Sequence, residues 1–454
     1  MNDSPVVRCA SETDVGMRRA TNQDSLFTRV WSDGDDWRRC GHLFVVADGM
    51  GGHAVGDLAS RIAVETFSET FLNETAASDT LRLQQGMLAA IRAVHMRGRQ
   101  NPEFSDMGTT CSALSITQNG AFIAHIGDSR IYRIRGDVIS QLTFDHSLQW
   151  EMIRLGRVTA ANVDLYHPRN VITRCVGPDP DVQIDIEGPF SVESGDRFIL
   201  CSDGLSNHLT DSELGQIAGT LTPSDAARLM INLANLRGGT DNASVILVCI
   251  ESAAGFRKEF SDETVPAATG VDESLTDTTS AEPAGRSRLF RQVGAAIILL
   301  LLGGTWLFRR PGHPAVVVSL LLSTIVPIWL LLRSRTIRPL QIETRTDADF
   351  TLSLNEDESP DEHPTIPGSP PYRQASAQLT RETLDKLSQI ADQLLQTARD
   401  ECWTISLEEL NVWNREADQA YLQGKLQPAI TLRARVIDRL YRYQMQKSRM
   451  AASG

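Results

Sequence analysis

The 454-residue chain has no C-x-x-C pair and no H-x-x-x-H pair, and its seven cysteines are scattered. That argues against a zinc site built at ordinary ligand spacing. The cysteine count is odd and most sit inside apolar runs, which reads as a reduced, intracellular chain and not a disulfide framework. Positive charge is not in excess. The formal net charge is −13, which argues against general nucleic-acid binding. The opening "MNDSPVVRCASETD" lacks the apolar core of a signal peptide. No internal repeat is visible, and the length suggests two or three domains.

What the chain does have is aspartate at the ends of apolar runs. In "VVADGMGGH" the run Leu43 to Ala47 meets Asp48 and then Gly-Met-Gly-Gly. The device recurs. "RFILCSDGL" leads into Asp203, "AFIAHIGDSR" into Asp128, "GGTDNASVILV" sets Asp241 just before a strand, and "TNQDSLF" sets Asp24 before an apolar pair. One such end is an ordinary tight turn. Five on separate segments read as one carboxylate cluster assembled by a sheet. Crowded carboxylates repel and are costly unless cations neutralise them. Hard oxygen donors point to Mn²⁺ or Mg²⁺.

Composition divides the chain. Residues 1–252 read as a globular domain and 253–288 as a disordered linker rich in Ser, Thr, Asp, Glu, Ala and Pro. Residues 289–335 read as a transmembrane hairpin, 336–376 as an acidic disordered linker, and 377–454 as an α-helical tail. The hairpin rests on two apolar runs, about 293–308 and 315–332, joined by "RRPGHP". They are short for bilayer spans, but linkers on both sides leave no domain to bury them, and arginines stand at their ends. In the first domain, "GDLASRIAVETFSETFL" and "LRLQQGMLAAIRAVHMRGRQ" carry apolar residues at helical spacing among strand-like runs such as "CSALSIT" and "SVILVCI". Strands adjacent to strands, with long helices between sets, predict an α+β domain of antiparallel sheets covered by helices. The tail stretch "LNVWNREADQAYLQGKLQPAITLRARVIDRLYR" resembles one tetratricopeptide-type repeat. One repeat cannot bury its own face, so a solvent-facing helical hairpin or a dimerising helix pair is the alternative.

The pieces "TDVGMRRATNQDS", "VVADGMGGHAVGDLAS", "MGTTCSAL", "AHIGDSRIYRIRGD", "LTFDHSL", "RNVITRCVG", "DRFILCSDGLSNHL" and "GGTDNASVILV" occur in an order that resembles the metal-dependent Ser/Thr protein phosphatases of the 2C type, in their bacterial form. The resemblance covers residues 8 to about 252. It implies a two-sheet antiparallel β-sandwich flanked by helices, in four layers, with two Mn²⁺ or Mg²⁺ ions at one end. Carried over by motif, it implies that Asp48 bridges the ions, the Gly49 carbonyl assists one, and Asp203 and Asp241 complete the second. Asp128 matches a third, weaker ion position of bacterial relatives. Asp24 matches a residue orienting water at the ions, and Arg19 the phosphate-binding arginine, with Arg18 its one-residue alternative. Gln23 stands where many relatives have Glu, and Met50 where animal relatives have a candidate acid histidine; His53 does not take over that role. The segment Asp145 to Arg174 resembles the flap beside the active site of bacterial relatives.

The chemistry agrees with the resemblance. A phosphomonoester is a doubly charged, poor electrophile; two cations neutralise it and lower the pKa of a bridging water, and an Arg fork holds its free oxygens. No cysteine is followed six positions later by Arg, and no "GNHE" run occurs, so the two other phosphatase chemistries have no match. The expectation is a membrane-anchored serine/threonine phosphatase of the bacterial cytoplasmic membrane, its catalytic domain in the cytoplasm. It would hydrolyse phosphoserine and phosphothreonine with a dimetal-activated water and oppose Ser/Thr kinases. Its partners would be phosphorylated proteins, such a kinase among them, and the membrane. The alternative is a catalytically silent phosphate-binding or scaffold protein. Such a protein usually loses an acidic ligand, and Asp48, Asp203 and Asp241 are all present.

Overall fold

Strands that are apolar at every position need cover on both faces. In β3 (His42–Met50), Leu43, Val45 and Ala47 enter one core while Phe44 and Val46 enter another. The same split separates Ile199 from Phe198 and Leu200 in β10 (Arg197–Cys201), and Val245 and Leu247 from Ile246 and Val248 in β11 (Ala243–Ser252). A side-chain period of two sends neighbours to opposite faces. Each of these strands therefore lies between a second sheet and a layer of helices.

The computed structural model describes residues 5–51, 55–74, 78–159, 171–256, 362–364 and 369–453. One sheet has the order β2 (Asp24–Arg29), β3, β5 (Cys111–Thr117), β6 (Gly120–Ile126), β9 (Asp185–Phe190), with β4 (Gly108–Thr109) beside β3. The other has the order β1 (Val6–Asp14), β11, β10, β7 (Arg130–Arg135), β8 (Val138–Gln141), β13 (Arg373–Ser376), β12 (Glu362–Pro364). The expected antiparallel two-sheet architecture is what forms. Between the sheets lies a core of Phe44, Leu114, Ile123, Phe198, Ile246 and their neighbours.

Outside the first sheet pack α2 (Val55–Asn73) and α3 (Asp79–Gln100), through Phe67, Phe71, Leu83, Met87 and Ile91; a short α1 (Gly34–Cys40) precedes β3. The Ser78 hydroxyl caps α3 by accepting from Leu81 N. After β8 comes α4 (Leu148–Arg154), and after β10 a single turn, α5 (Asp203–Ser206). Outside the second sheet pack α6 (Asp211–Thr220), entered through a Thr210–Glu213 capping box, and α7 (Pro223–Leu236), with Pro at its first turn and Thr222 as cap.

The tail corrects the sequence reading. Residues 373–376, assigned to a linker, form β13 and pair with β8, Ala375 opposite Ile139. The helices α8 (Arg381–Asp400), α9 (Leu407–Leu422) and α10 (Leu426–Ser453) are not a free hairpin. Leu384, Leu387, Leu394, Ile430, Ile437 and Leu440 share one core with Leu214, Ile217, Met230 and Leu233 of α6 and α7. Two amphipathic layers, each with an apolar face left over, cover one another, at about 1.5–3 kcal/mol per fully buried large side chain. Met1–Val265 and Glu358–Gly454 accordingly belong to one unit. Ala417 and Ala429 are buried in the α9–α10 pair, and Gly424, at φ +74, ends α9 with Lys425 N donating to Ala420 O. No helix among the described residues is long and apolar enough to cross a membrane; the runs 293–308 and 315–332 lie outside those residues.

Candidate active site

Strand pairing brings the acidic residues to one end of the sandwich. Asp24 opens β2 directly opposite Asp48 near the end of β3. In the second sheet Cys201 pairs with both Arg130 and Val245. Asp203, Asp128 and Asp241, each two residues beyond these positions or short of the strand that holds them, share that edge. Hydroxyls tie the two sheets together there. Ser202 Oγ and Ser244 Oγ donate to Asp24 Oδ2 at 2.8 and 2.6 Å, and Thr110 Oγ1 and Ser129 Oγ meet at 2.8 Å. Asp48 is fixed through its backbone: its N–H donates to Thr110 Oγ1, and its carbonyl accepts from Thr109 Oγ1, each at 2.8 Å.

The electrostatics record this crowding. Burial pushes the Asp24 carboxyl up to about 7; hydrogen bonds from Ser244 and Ser202 oppose the shift, while the charges of Asp203 and Asp241 add to it. Burial holds Asp48 well above the usual carboxylate range, reinforced by Asp24, Asp203, Asp128 and Asp241. Asp128, 8% exposed, is raised by burial, then by Asp203 and Asp145. Asp203 is raised by burial and by Asp241, against a hydrogen bond with Asp48. Arg19, half-exposed in the β1–β2 loop, donates to Asp241 Oδ2 at 2.7 Å, and that bond lifts its own pKa further. Arg18 makes no such bond to the cluster.

Several supporting residues carry no sequence signal of their own. Asn242 accepts from Gln23 N at 2.8 Å and donates to Val15 O and Thr21 O at 2.9 and 3.0 Å, clamping the Arg19 loop to the Asp241 turn. Its position directly after Asp241 is the only hint the sequence offers. Gly49 must be glycine, because a Cβ there would stand 2.0 Å from Gly56 O and 2.7 Å from Gln23 O. Gln23 acts through its backbone, its carbonyl accepting from Gly49 N and Ser60 Oγ. His53 lies outside the described residues.

The donor set suits divalent cations. It is all oxygen, its carboxyls raise one another, and Asp24 Oδ1 and Asp203 Oδ1 are buried with no protein partner. Among the described residues no three acidic, thiol or imidazole side chains are set around one point as an ion would need; Asp203 meets Asp48, Asp241 meets Arg19, and Asp24 meets Ser202 and Ser244. The fit lies in the chemistry and placement of the donors, not in their present rotamers. In the segment Asp145 to Arg174, the described ends are joined: Leu148 N donates to Val171 O, Thr173 N to His146 O, and Arg174 pairs with Asp185. Residues 160–170 between them lie outside the described residues.

The protein phosphatase 2C family model matches residues 17–234. Protein phosphatase PhpP of Streptococcus pneumoniae is 37% identical over 243 residues, 52% of this chain and 94% of that protein. Serine/threonine phosphatase stp of Listeria monocytogenes is 35% identical over 243 residues, 52% of this chain and 93% of that protein. Among solved structures, the Mycobacterium tuberculosis serine/threonine phosphatase PstP/Ppp shares 29% identity over 54% of this chain and 99% of its own, with a TM-score of 0.48.

Proposed function

Because this chain belongs to the protein phosphatase 2C family and is a Ser/Thr phosphoprotein phosphatase, we propose that it works with divalent cations held by Asp48, the Gly49 carbonyl, Asp203 and Asp241, with a further ion at Asp128. The observation that carries this reading is the convergence of Asp24, Asp48, Asp128, Asp203 and Asp241 from both sheets, with Arg19 at the rim. Mn²⁺ or Mg²⁺ bound there would neutralise the carboxylates, draw charge from the ester and acidify a coordinated water. Arg19 supplies a fork for the ester's free oxygens. A phosphate dianion competes with Asp241 for that guanidinium, which solvent reaches. Asp24 has Oδ2 committed to Ser202 and Ser244, which leaves Oδ1 to hold a proton of water beside the cluster. Asn242 keeps the Arg19 loop on the Asp241 turn. No observation favours a catalytically silent scaffold.

The substrates are phosphoserine and phosphothreonine proteins, and the opponent is a Ser/Thr kinase. The runs 293–308 and 315–332 are read as a two-span hairpin in the bacterial cytoplasmic membrane, with the phosphatase in the cytoplasm. Supporting this, chain from before and after the runs pairs in one sheet, β8 with β13, which requires an even number of crossings between them. Free cysteines suit the reducing side. A reporter fused after residue 345 is expected to behave as cytoplasmic, and an external one would leave a single crossing. For the chemistry, the full-length protein is expected to release phosphate from a phosphothreonine peptide only with Mn²⁺ or Mg²⁺ present. Equal release in excess chelator would overturn the reading.

A further inference from the structure

The C-terminal helical module reaches the proposed site from two sides. On one side, α10 lies along α7, whose end leads through Gly238 and Gly239 to Asp241. Asn232 of α7 donates to Asp438 of α10 at 3.2 Å. Tyr441, 5% exposed, packs its hydroxyl 3.8 Å from the Met17 sulfur. Met17 N donates to Gly239 O at 2.8 Å, and a Cβ on Gly16 would stand 2.2 Å from Asp241 O. The loop carrying Arg19 therefore rests on the Asp241 turn below and on Tyr441 beside it.

On the other side, the module's entry touches the base of the flap. Tyr372 donates to Glu187 at 2.9 Å and sets its ring edge-on to Phe144, which is edge-on to Trp150 of α4. Arg373 lies 5.9 Å over Trp150 and pairs at 3.4 Å with buried Asp211. Asp211 accepts from Tyr132 and faces Arg130, which grips Asp145 through two nitrogens. Asp145 in turn is one of the charges acting on Asp128. The module does not cover Arg19, which remains half-exposed.

We propose that the C-terminal module is a working part of the phosphatase site, with Tyr441 a positioning residue that holds the Met17–Arg19 loop and thereby sets affinity for the phosphoester. This rests on the reading of Arg19 as the phosphate-binding residue. An arginine fork is useful only where its loop is held, and small displacements of a positioning group cost affinity steeply. The loop is also held by Met17 N on Gly239 O, by Gly16 N on Asp14 Oδ1, by Asn242 and by the Arg19–Asp241 pair; Tyr441 adds a side-chain contact from the C-terminal helices.

The test is a double-mutant cycle in the full-length protein with a phosphothreonine peptide and Mn²⁺. Tyr441→Ala is expected to raise KM about three- to tenfold with kcat within about twofold. Tyr441→Phe, which keeps the ring but removes the hydroxyl that reaches the Met17 sulfur, is expected to raise KM in the same direction. In an Arg19→Ala background, Tyr441→Ala is expected to add nothing, because its effect passes through Arg19. An unchanged KM in folded Tyr441→Ala, or an equal rise in both backgrounds, would overturn the proposal while leaving the role of Arg19 intact. An Arg19→Ala variant with normal KM and kcat would instead overturn the phosphate-binding reading itself. Should Tyr441→Ala not fold, Met17→Ala removes the same contact from the exposed side, and the same cycle with Arg19→Ala decides.

Discussion

The two outer faces of the sandwich are closed by different means. The sheet of β2, β3, β5, β6 and β9 is covered by α2 and α3, which follow β3 directly in the chain. The sheet of β1, β11, β10, β7 and β8 is covered by α6 and α7, and these are covered in turn by α8 and α10 from beyond residue 380. One face is closed locally and the other by a segment more than a hundred residues away. The proposed site straddles the two. Asp24 and Asp48 hang on the locally closed sheet, Asp203 and Asp241 on the remotely closed one. The proposed chemistry therefore draws on both faces, one of which carries an added layer of long-range contacts, whose closure costs more chain entropy before contacts repay it.

The largest expected effect treats the two sheets alike. Asp48→Asn from one and Asp203→Asn from the other should each lower turnover on the order of 10³-fold, with the fold retained, since each removes a negative donor from a shared site. A loss confined to one sheet's aspartates, read by phosphopeptide kinetics beside circular dichroism, would divide the site.

A stability comparison comes next. Ile437→Ala on α10 and Ile91→Ala on α3 are both fully buried truncations and should each cost about 2–5 kcal/mol within one cooperative transition. If calorimetry of Ile437→Ala instead splits off an early transition, the module is a separate domain resting on the phosphatase.

Acid should press on the locally closed side. His42 of β3 is buried, its Nδ1 accepting from Trp31 N, and burial pulls its pKa from 6.5 down to about 4. Between those values the unfolded chain binds a proton that the folded chain refuses. The contribution of His42 to stability is thus full above pH 6.5 and is lost as pH falls towards 4, by roughly 3 kcal/mol, while Asp24 and Asp48 of the same sheet, raised by burial, act in the opposite sense. His42→Gln should flatten that slope in urea titrations, and a slope unchanged by the substitution would assign it elsewhere.

The smallest effect falls on the solvent face of the module. Lys386→Ala breaks an exposed i,i+4 pair with Glu382 and should change stability by less than about 0.5 kcal/mol. A larger loss would mean that this face of α8 is covered as well.

How much of this was legible follows from the range of the forces. The Asp-terminated strands could be read because burial on both faces leaves continuous apolar runs, and a carboxylate at their end stands out. The facing of Asp24 and Asp48 follows from register once β2 and β3 pair. Asn242 was missed because a buried asparagine that bonds three backbone groups looks, in sequence, like any turn residue. The docking of the tail was missed for a different reason. Amphipathic helices show that they have a partner but not which one, and "RQAS" of β13 carries no strand pattern. Its pairing is decided by the free edge of β8, far away in sequence.

The central claim is that the converging aspartates run a cation-dependent hydrolysis, and one titration tests it most directly. Full-length protein is stripped with chelator, and Mn²⁺ is added back while phosphate release from a phosphothreonine peptide is followed. The account predicts that release falls to background on stripping, returns saturably with Mn²⁺, and does not return in Asp241→Asn at the same concentrations. Release that persists through stripping, or that returns equally in Asp241→Asn, would contradict it.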